Sequence, residues 1–353
     1  YMKNFKIVTS LLVIGLAVSG CTINLGSGKI NNNNGGVFVT TDHGQTWMAK
    51  SSVLASDGQN LTIAGQKIYS MAMDPSDNKA IYLGTFDKGV IYSYDGAASW
   101  MPVKSKIMAS QSVVDLAVDP KDKCQIYASI GNKLLKTSDC SRTWQVAYTD
   151  SNANAVIRSL AIDRYDSAKI YFGTDNGNLM RSSDYGVSWQ NVQVFKNEVK
   201  KIVFSNSDTR IILVGLSSGV IHRTNDAGET WVDLSPALKA FKGDKSLRDL
   251  IVIPSQADAF LLATKYGLLK TVNNGDDWTE IKLLTPKQPV TINSLAVNYK
   301  NPNLIYYVTD STFYRSQDGG ENWTTTQVPT TRRAWRILTD PFADGLIYLA
   351  VRE

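Results

Sequence analysis

Apolar and polar positions alternate along most of this chain in short runs that come in pairs. The segment IYSMAMDPSDNKAIYLGT, residues 68–85, shows the pattern: an apolar run, a polar turn, and a second run rich in Ile and Tyr. Similar segments occupy residues 113–130, 157–174, 199–216, 247–264 and 292–309. Short runs bounded by Asp, Pro, Asn and Gly predict pairs of antiparallel β-strands.

Each pair is followed by a third apolar run, a polar segment that contains Asp and Trp, and a fourth run. The polar segment recurs as TTDHGQTW (40–47), SYDGAASW (93–100), TSDCSRTW (137–144), SSDYGVSW (182–189), TNDAGETW (224–231), TVNNGDDW (271–278) and SQDGGENW (316–323). Four short strands in each repeat of roughly forty residues are typical of a propeller blade.

The two ends of the repeat array complement each other. The first polar segment lies in GGVFVTTDHGQTW, which no strand pair precedes, and residues 335–353 form a strand pair that no such segment follows. Together they make one whole blade. The sequence therefore predicts an all-β fold over residues 36–353, a seven-bladed β-propeller with four-stranded antiparallel blades. The N- and C-terminal segments share the closing blade, so no radial strand edge stays open.

The recurring Asp and Trp have physical roles that suit a hairpin. An Asp carboxylate at a turn accepts backbone N–H bonds, Gly two residues later permits a positive φ, and Trp buries a large apolar area. A feature repeated seven times is structural rather than catalytic. We expect this staple at Asp42, Asp95, Asp139, Asp184, Asp226, Asn273 and Asp318, with Trp47, Trp100, Trp144, Trp189, Trp231, Trp278 and Trp323. Asn273 replaces Asp once, and Ala97 and Ser141 replace Gly.

These segments resemble the Asp-box, or BNR repeat, of sialidases, sortilins, xyloglucanases and photosystem II assembly factors. Sialidases carry an Arg-Ile-Pro-like motif, whereas here Arg336-Ile337 is followed by Leu338. Xyloglucanases of this repeat type place two catalytic Asp residues between two propellers, and this chain has one propeller. We identify no catalytic constellation and expect no enzyme activity, although a glycosidase stays open.

The beginning of the chain resembles the signal of bacterial lipoproteins. Residues 1–20 have two lysines, an apolar run and small residues ahead of Cys21, which is the layout of a secretory signal. The resemblance implies lipid attachment at Cys21; cleavage near Gly20 with a free Cys21 is the alternative. Residues 21–35 are rich in Gly and Asn and predict a flexible tether. We expect an exported protein anchored on the periplasmic or cell-surface side of a membrane.

The net charge, the histidines and the cysteines limit the functions that the sequence supports. The net charge is +5, and removing Lys3 and Lys6 with the leader leaves +3, too little to indicate nucleic-acid binding. His43 and His222 lie in unrelated blades, so we expect no metal site and no cofactor. Cys124 and Cys140 fall in two turns on the same side of one blade. A disulfide is one interpretation, and two free thiols are the other.

Basic residues gather where the innermost strands begin, on the side opposite the Asp-boxes. These candidate partner-binding residues are Arg158, Lys200, Lys201, Arg248, Arg332, Arg333 and Arg336. A solvated charged rim is the alternative interpretation. The longest connections, 48–67, 232–245 and 279–290, lie on the same side, and we expect the first to fold over the channel.

We therefore expect a lipid-anchored binding module or assembly scaffold. Its favoured partner is an envelope protein with an acidic segment. A glycan-binding or glycosidase-like protein is the alternative.

Overall fold

The computed structural model describes residues 35–54, 61–285 and 290–352. The predicted leader, Cys21 and the tether as far as residue 34 lie outside this range. In the described part of the chain, no helix is long and apolar enough to cross a bilayer.

Seven four-stranded antiparallel sheets form the molecule, which confirms the predicted propeller. Blades one to three contain β3–β6 (Ile68–Asp74, Asp77–Thr85, Val90–Ser93, Met101–Pro102), β7–β10 (Leu116–Val118, Ile126–Ile130, Lys133–Thr137, Gln145–Thr149) and β11–β14 (Ile157–Ile162, Ile170–Thr174, Asn178–Ser182, Gln190–Val194). Blades four to six contain β15–β18 (Val199–Phe204, Ile212–Leu216, Ile221–Thr224, Val232–Asp233), β19–β22 (Leu247–Val252, Phe260–Thr264, Leu268–Thr271, Thr279–Ile281) and β23–β26 (Ser294–Val297, Ile305–Val308, Thr312–Ser316, Thr324–Gln327). A 3₁₀ turn spans Ser235–Leu238.

The seventh blade is built from both ends of the array. Its order is β2 (Met48–Ala49), β1 (Val37–Thr40), β28 (Ile347–Arg352) and β27 (Arg333–Thr339). The joint is the antiparallel pairing of β1 with β28, in which Val37 opposes Ala350 and Thr40 opposes Ile347. The predicted shared blade is confirmed. The first strands of the blades contact one another in an unbroken ring, so β27 also meets β3.

The core lies between the blades. Each second strand is buried on both faces, as the uninterrupted burial of IYFGT in β12 shows. The buried side chains form seven clusters, and each cluster bridges two neighbouring blades. In the cluster of the closing seam, Val39 and Tyr348 of the seventh blade pack with Ile68 and Trp100 of the first.

The Asp-box is a turn stabilised by its own side chains. The carboxylate of Asp42 accepts the amides of Gln45 and Thr46 at 2.9 Å and the Thr46 hydroxyl at 2.6 Å. The hydroxyl of Thr40 binds the same carboxylate and accepts the amide of Gly44. The other boxes repeat this pattern, and in the sixth box the side-chain oxygen of Asn273 accepts the Asp277 amide.

All seven boxes place two consecutive residues at positive φ, the fourth and the fifth of the box. The fourth residue donates its amide to the turn between the first two strands of its own blade, as Cys140 does to the carbonyl of Cys124 at 3.3 Å. In the boxes of blades two to five, its carbonyl also accepts a hydrogen bond from the preceding blade. Thus the Tyr127 hydroxyl reaches Tyr185 at 2.8 Å, and the Tyr171 hydroxyl reaches Ala227 at 2.7 Å. The box therefore joins strands within a blade and blades to each other.

Cys124 and Cys140 are joined as a disulfide across sixteen positions of sequence. They lie where the amide of the box meets the turn between the first two strands, a contact that every blade makes. The bridge therefore adds a covalent link to an existing hydrogen bond.

The connection 48–67 differs from the expectation. Val53 pairs with Trp100 as a parallel bridge, and the Trp100 indole donates to the Lys50 carbonyl at 2.7 Å. Ile63 is buried in the cluster of the closing seam. The described part of this connection therefore lies along the outer edge of the first blade rather than over the channel, because its apolar residues cover Trp100 there. Residues 55–60 lie outside the described range.

We predict that Ser141→Gly stabilises the protein. Ser141 has a φ of 66°, and its hydroxyl is buried without a hydrogen-bond partner among the described residues. Glycine relieves both costs, for a gain of about 1 kcal/mol. Gly186 occupies the same box position, and a Cβ there would lie 3.2 Å from the Tyr127 ring. Gly186→Ser should therefore destabilise. Urea unfolding measures both; a stability loss in Ser141→Gly would refute the argument.

We predict an acid-sensitive fold. Hydrogen bonds from the Thr143 and Ser188 hydroxyls and from amides of the turn lower the pKa of Asp139 and of Asp184 from 3.8 to about 2. A carboxyl whose pKa is lower in the folded state contributes stability above its unfolded pKa, and that stability is lost as the pH falls towards the folded value. Unfolding midpoints should therefore decline between about pH 4 and 2.

Asp184→Asn is the matched variant for this decline, because Asn273 occupies the same box position in the sixth blade. The variant should lose less stability on acidification than the unaltered protein. An identical loss would show that the boxes do not cause the decline.

Candidate functional site

Bulges set the direction of the side chains where the innermost strands begin. The register of β3, β11, β15 and β19 shifts around the second residue of each strand, and that of β27 shifts around its third residue. A bulge leaves one residue unpaired and redirects its side chain. The five residues are Tyr69, Arg158, Lys200, Arg248 and Trp335, and all of them line the same cavity. We call these five residues the channel mouth.

The cavity is the central channel, with a volume of about 630 Å³. Six basic and three acidic residues line it: Arg158, Lys200, Lys201, Arg248, Arg336 and Arg352, with Asp115, Glu198 and Asp249. This volume falls within the range of ligand-binding clefts. Charge in a recess with low-dielectric walls acts more strongly than charge on an open surface.

Two of the basic residues are neutralised by neighbours. Arg158 lies 3.5 Å from the Glu198 carboxylate, and Lys201 lies 2.8 Å from that of Asp249. Burial opposes ionisation of Asp249, but the charges of Lys201 and Arg336 outweigh it and lower the pKa of the carboxyl. These two pairs therefore leave little net charge at their part of the channel.

Four basic residues have no carboxylate within salt-bridge distance in the described part of the chain: Lys200, Arg248, Arg336 and Arg352. Lys200 donates to the Leu247 carbonyl, and Arg336 donates to the Asn293 carbonyl at 3.2 Å. Burial and the charge of Arg248 lower the pKa of Lys200, which shows that these cations repel one another. The channel therefore carries positive charge that its own carboxylates do not balance.

Trp335 holds two of these cations in place. The guanidinium of Arg352 lies 3.8 Å from the centre of the Trp335 ring, and that of Arg336 lies 4.7 Å from it. The indole donates to the Tyr69 carbonyl at 3.0 Å. Stacking orients a guanidinium while leaving its N–H groups for a planar anion.

The buried carboxylates of the channel bind backbone amides of the following blades. Asp115 accepts the amide of Leu160 at 2.9 Å, and Asp249 accepts the amide of Leu295 at 2.9 Å. The hydroxyl of Ser294 accepts the Ile337 amide in the same way. These amides lie at the inner edge of each blade, where no further strand pairs. Burial raises the pKa of Asp115, yet both of its oxygens accept amides, so its contacts are structural.

The structure divides the seven basic residues predicted from the sequence. Arg158, Lys200, Lys201, Arg248 and Arg336 line the channel, whereas Arg332 and Arg333 do not. Arg333 pairs with Asp310 at 2.9 Å, and the side chain of Arg332 lies beside Gly35.

Sequence reasoning missed Arg352, Trp335, Tyr69 and Glu198. Trp335 could have been singled out from the sequence, since it is the one tryptophan outside the boxes.

The two histidines lie in different surroundings. The His43 ring meets the Tyr306 hydroxyl at 2.8 Å, and the ring of His222 packs 4.7 Å from that of Phe195. Across residues 35–54, 61–285 and 290–352, no cluster of His, Cys, Asp and Glu has the form of a metal site.

Comparison with known families supports the repeat type. Residues 219–352 match the Sortilin-Vps10 family (sortilin, neurotensin receptor 3), and residues 96–244 match the DUF6242 beta propeller domain. Each match covers less than half of the chain, and both agree with the propeller blades of the structure.

Curated relatives include a xyloglucanase of Paenibacillus sp, which is 25% identical over an alignment of 320 residues; the match covers 74% of this chain and 31% of the relative. Xyloglucanase Xgh74A of Acetivibrio thermocellus is 26% identical over 308 residues, covering 67% of this chain and 35% of the relative. The chain thus spans about a third of the length of these relatives.

Solved structures share the fold. The GH74 xyloglucanase from Xanthomonas campestris has a TM-score of 0.66 at 18% identity, covering 81% of this chain and 51% of that one. YCF48 bound to D1 peptide has a TM-score of 0.63 at 17% identity, covering 82% and 93%. YCF48 from Cyanidioschyzon merolae has a TM-score of 0.61 at 13% identity, covering 81% and 95%.

We predict that removing Asp249 destabilises the fold more than removing an exposed acid. Asp249→Ala leaves the charge of Lys201 and the amide of Leu295 unpaired in a buried place, a loss of about 3 kcal/mol. Asp166→Ala removes the partner of Lys169, 3.2 Å away, in a pair whose side chains are both substantially exposed, and should cost less than about 1 kcal/mol. Urea unfolding compares the two variants. Equal losses would contradict a structural role for Asp249.

Proposed function

We propose that this BNR-type propeller is a binding module that captures an acidic segment of a partner protein in the channel. The observation that carries the proposal is the set Lys200, Arg248, Arg336 and Arg352, which lines one cavity without matching carboxylates in the described part of the chain. Burying cations together without counter-charges costs free energy. A bound carboxylate recovers that cost, so an anionic ligand gains affinity from the existing arrangement.

Two features favour a peptide over a small inorganic ion. The four cationic groups come from three inner strands, β15, β19 and β27, and from β28, so they are spread along one side of the cavity rather than converging on one point. Several carboxylates spaced along one segment can meet several of them. A protein of the same fold, YCF48, has been solved bound to D1 peptide, which supports peptide capture by propellers of this kind.

We further propose that the module works at the cell envelope, exported and anchored by lipid at Cys21, as a scaffold for its partner. The disulfide of Cys124 and Cys140 supports this placement, because disulfides persist in oxidising compartments.

A glycan-directed activity is the second candidate, because the curated relatives are xyloglucanases. A glycosidase needs two carboxyl groups about 5–9.5 Å apart that are free to act on the sugar. In the channel, Asp115 and Asp249 accept backbone amides and Glu198 pairs with Arg158. Incubating the full chain with xyloglucan and following reducing ends and binding tests this alternative. Hydrolysis that is lost in Asp115→Asn would favour an enzyme over the binding module.

We predict that Arg248→Glu weakens binding of an acidic peptide about tenfold or more, since it replaces an attraction by a repulsion in a recess. The probe is a labelled peptide of alternating Glu and Gly, and fluorescence anisotropy with the full chain gives Kd. Binding should also weaken as salt rises.

Arg210→Glu is the matched control. Arg210 is highly exposed, pairs with Asp208 in its own turn, and does not line the channel. It should bind the peptide like the unaltered protein. Equal weakening in both variants would show an effect of net charge alone, and no binding of the peptide by the unaltered protein would refute the proposal.

A further inference from the structure

Below the charged residues, the channel is lined by apolar side chains. Met71 of β3, Val203 of β15, Ile251 of β19 and Leu338 of β27 border the same cavity as the channel mouth. We call these four residues the throat. Each remains partly accessible, although it packs against one of the clusters between blades. The cavity therefore exposes apolar surface directly beneath the cations.

The apolar lining of the throat is uneven around the ring. At the fifth position of the inner strands, counted from Ile68, Val199, Leu247 and their equivalents, blades four, five and seven carry Val203, Ile251 and Leu338. The other blades carry alanine at this position, and Ala296 of blade six also borders the cavity, between Ile251 and Leu338. The large apolar side chains therefore come mainly from three blades, and the cavity between them is about 630 Å³.

The distance between the channel mouth and the throat suits one long side chain. The residues of the channel mouth and those of the throat lie two to three positions apart along each inner strand. At about 3.3 Å per residue, this separation is roughly 7–10 Å. A long apolar side chain on a segment that lies across the mouth spans this depth while neighbouring carboxylates remain level with the cations.

We propose that the captured segment carries a large apolar residue between acidic residues, and that its side chain enters the throat as an anchor. This inference rests on the proposed capture of an acidic segment and specifies its chemistry. The charges attract and orient the segment. The anchor adds affinity because it removes apolar surface from water on both partners. A segment with acidic residues alone meets the cations and leaves the throat hydrated.

Peptides test this on the unaltered full chain, so the result does not depend on any variant folding. The series keeps alternating Glu and Gly and changes the central residue from Gly to Ala, Val, Leu and Phe. Affinity should rise along the series and reach about tenfold for Leu or Phe. A Gln-for-Glu version of the Phe peptide should bind weakly, because it lacks the charges.

Substitutions in the throat test where the apolar side chain of the peptide binds. Ile251→Thr and Leu338→Thr should abolish most of the gain given by Leu or Phe, and should leave the affinity of the Glu–Gly peptide unchanged. Ile211→Thr is the matched control, since Ile211 is also a partly buried apolar residue but does not line the channel. It should keep the full gain.

The outcomes separate the two proposals. Equal affinity for all central residues, with Arg248→Glu still weakening binding, would overturn the anchor and leave acidic capture standing. A gain that survives Ile251→Thr and Leu338→Thr would overturn the throat as its site. Equal affinity for the Phe peptide and for its Gln-for-Glu version would overturn acidic capture itself.

Discussion

A ring of sheets is stable only if its last member meets its first, and here the pairing of β1 with β28 makes that contact. Val37 opposes Ala350 in this pairing, and the cluster of the closing seam then packs the seventh blade against the first. The central channel exists because all seven inner strands are held at one axis. The positions of Arg336 and Arg352 depend on this joint directly, since they lie on the two strands that the C-terminal end contributes.

The channel combines two tasks in the same few residues of each blade. At the third position of the inner strand, Asp115, Asp249 and Ser294 satisfy backbone amides that no further strand can pair. Next to them, the bulged residues are released from pairing, and their side chains reach the cavity. The charges that remain unmatched are therefore held by inner strands whose edge amides are satisfied in these blades.

Much of the fold could be predicted from the sequence because the Asp-box repeats visibly, down to the Asn273 copy. The residues of the channel could be predicted less completely. Nothing local to Arg333 shows that Asp310 neutralises it, because the two are separated by 23 positions and meet only across a seam. No other repeat has Arg at the position of Arg352, where the fifth blade has Lys265, and its stacking on Trp335 depends on the closing blade. The length of the connection 48–67 suggested a segment that covers the channel. The burial of Ile63 and the bond from the Trp100 indole to the Lys50 carbonyl instead place its described part along a blade edge.

The hydrogen bonds that Tyr127 and Tyr171 donate to the boxes of the next blades give the ring a direction. The third blade shows both halves of this joint, since Tyr171 donates to the box of the fourth blade and the carbonyl of Tyr185 accepts from Tyr127 of the second. A copied unit of this kind brings both halves with it. A ring assembled in this way can gain or lose a unit by gene duplication or deletion without inventing a new contact. Only the seam that joins the two ends must be rebuilt on each occasion.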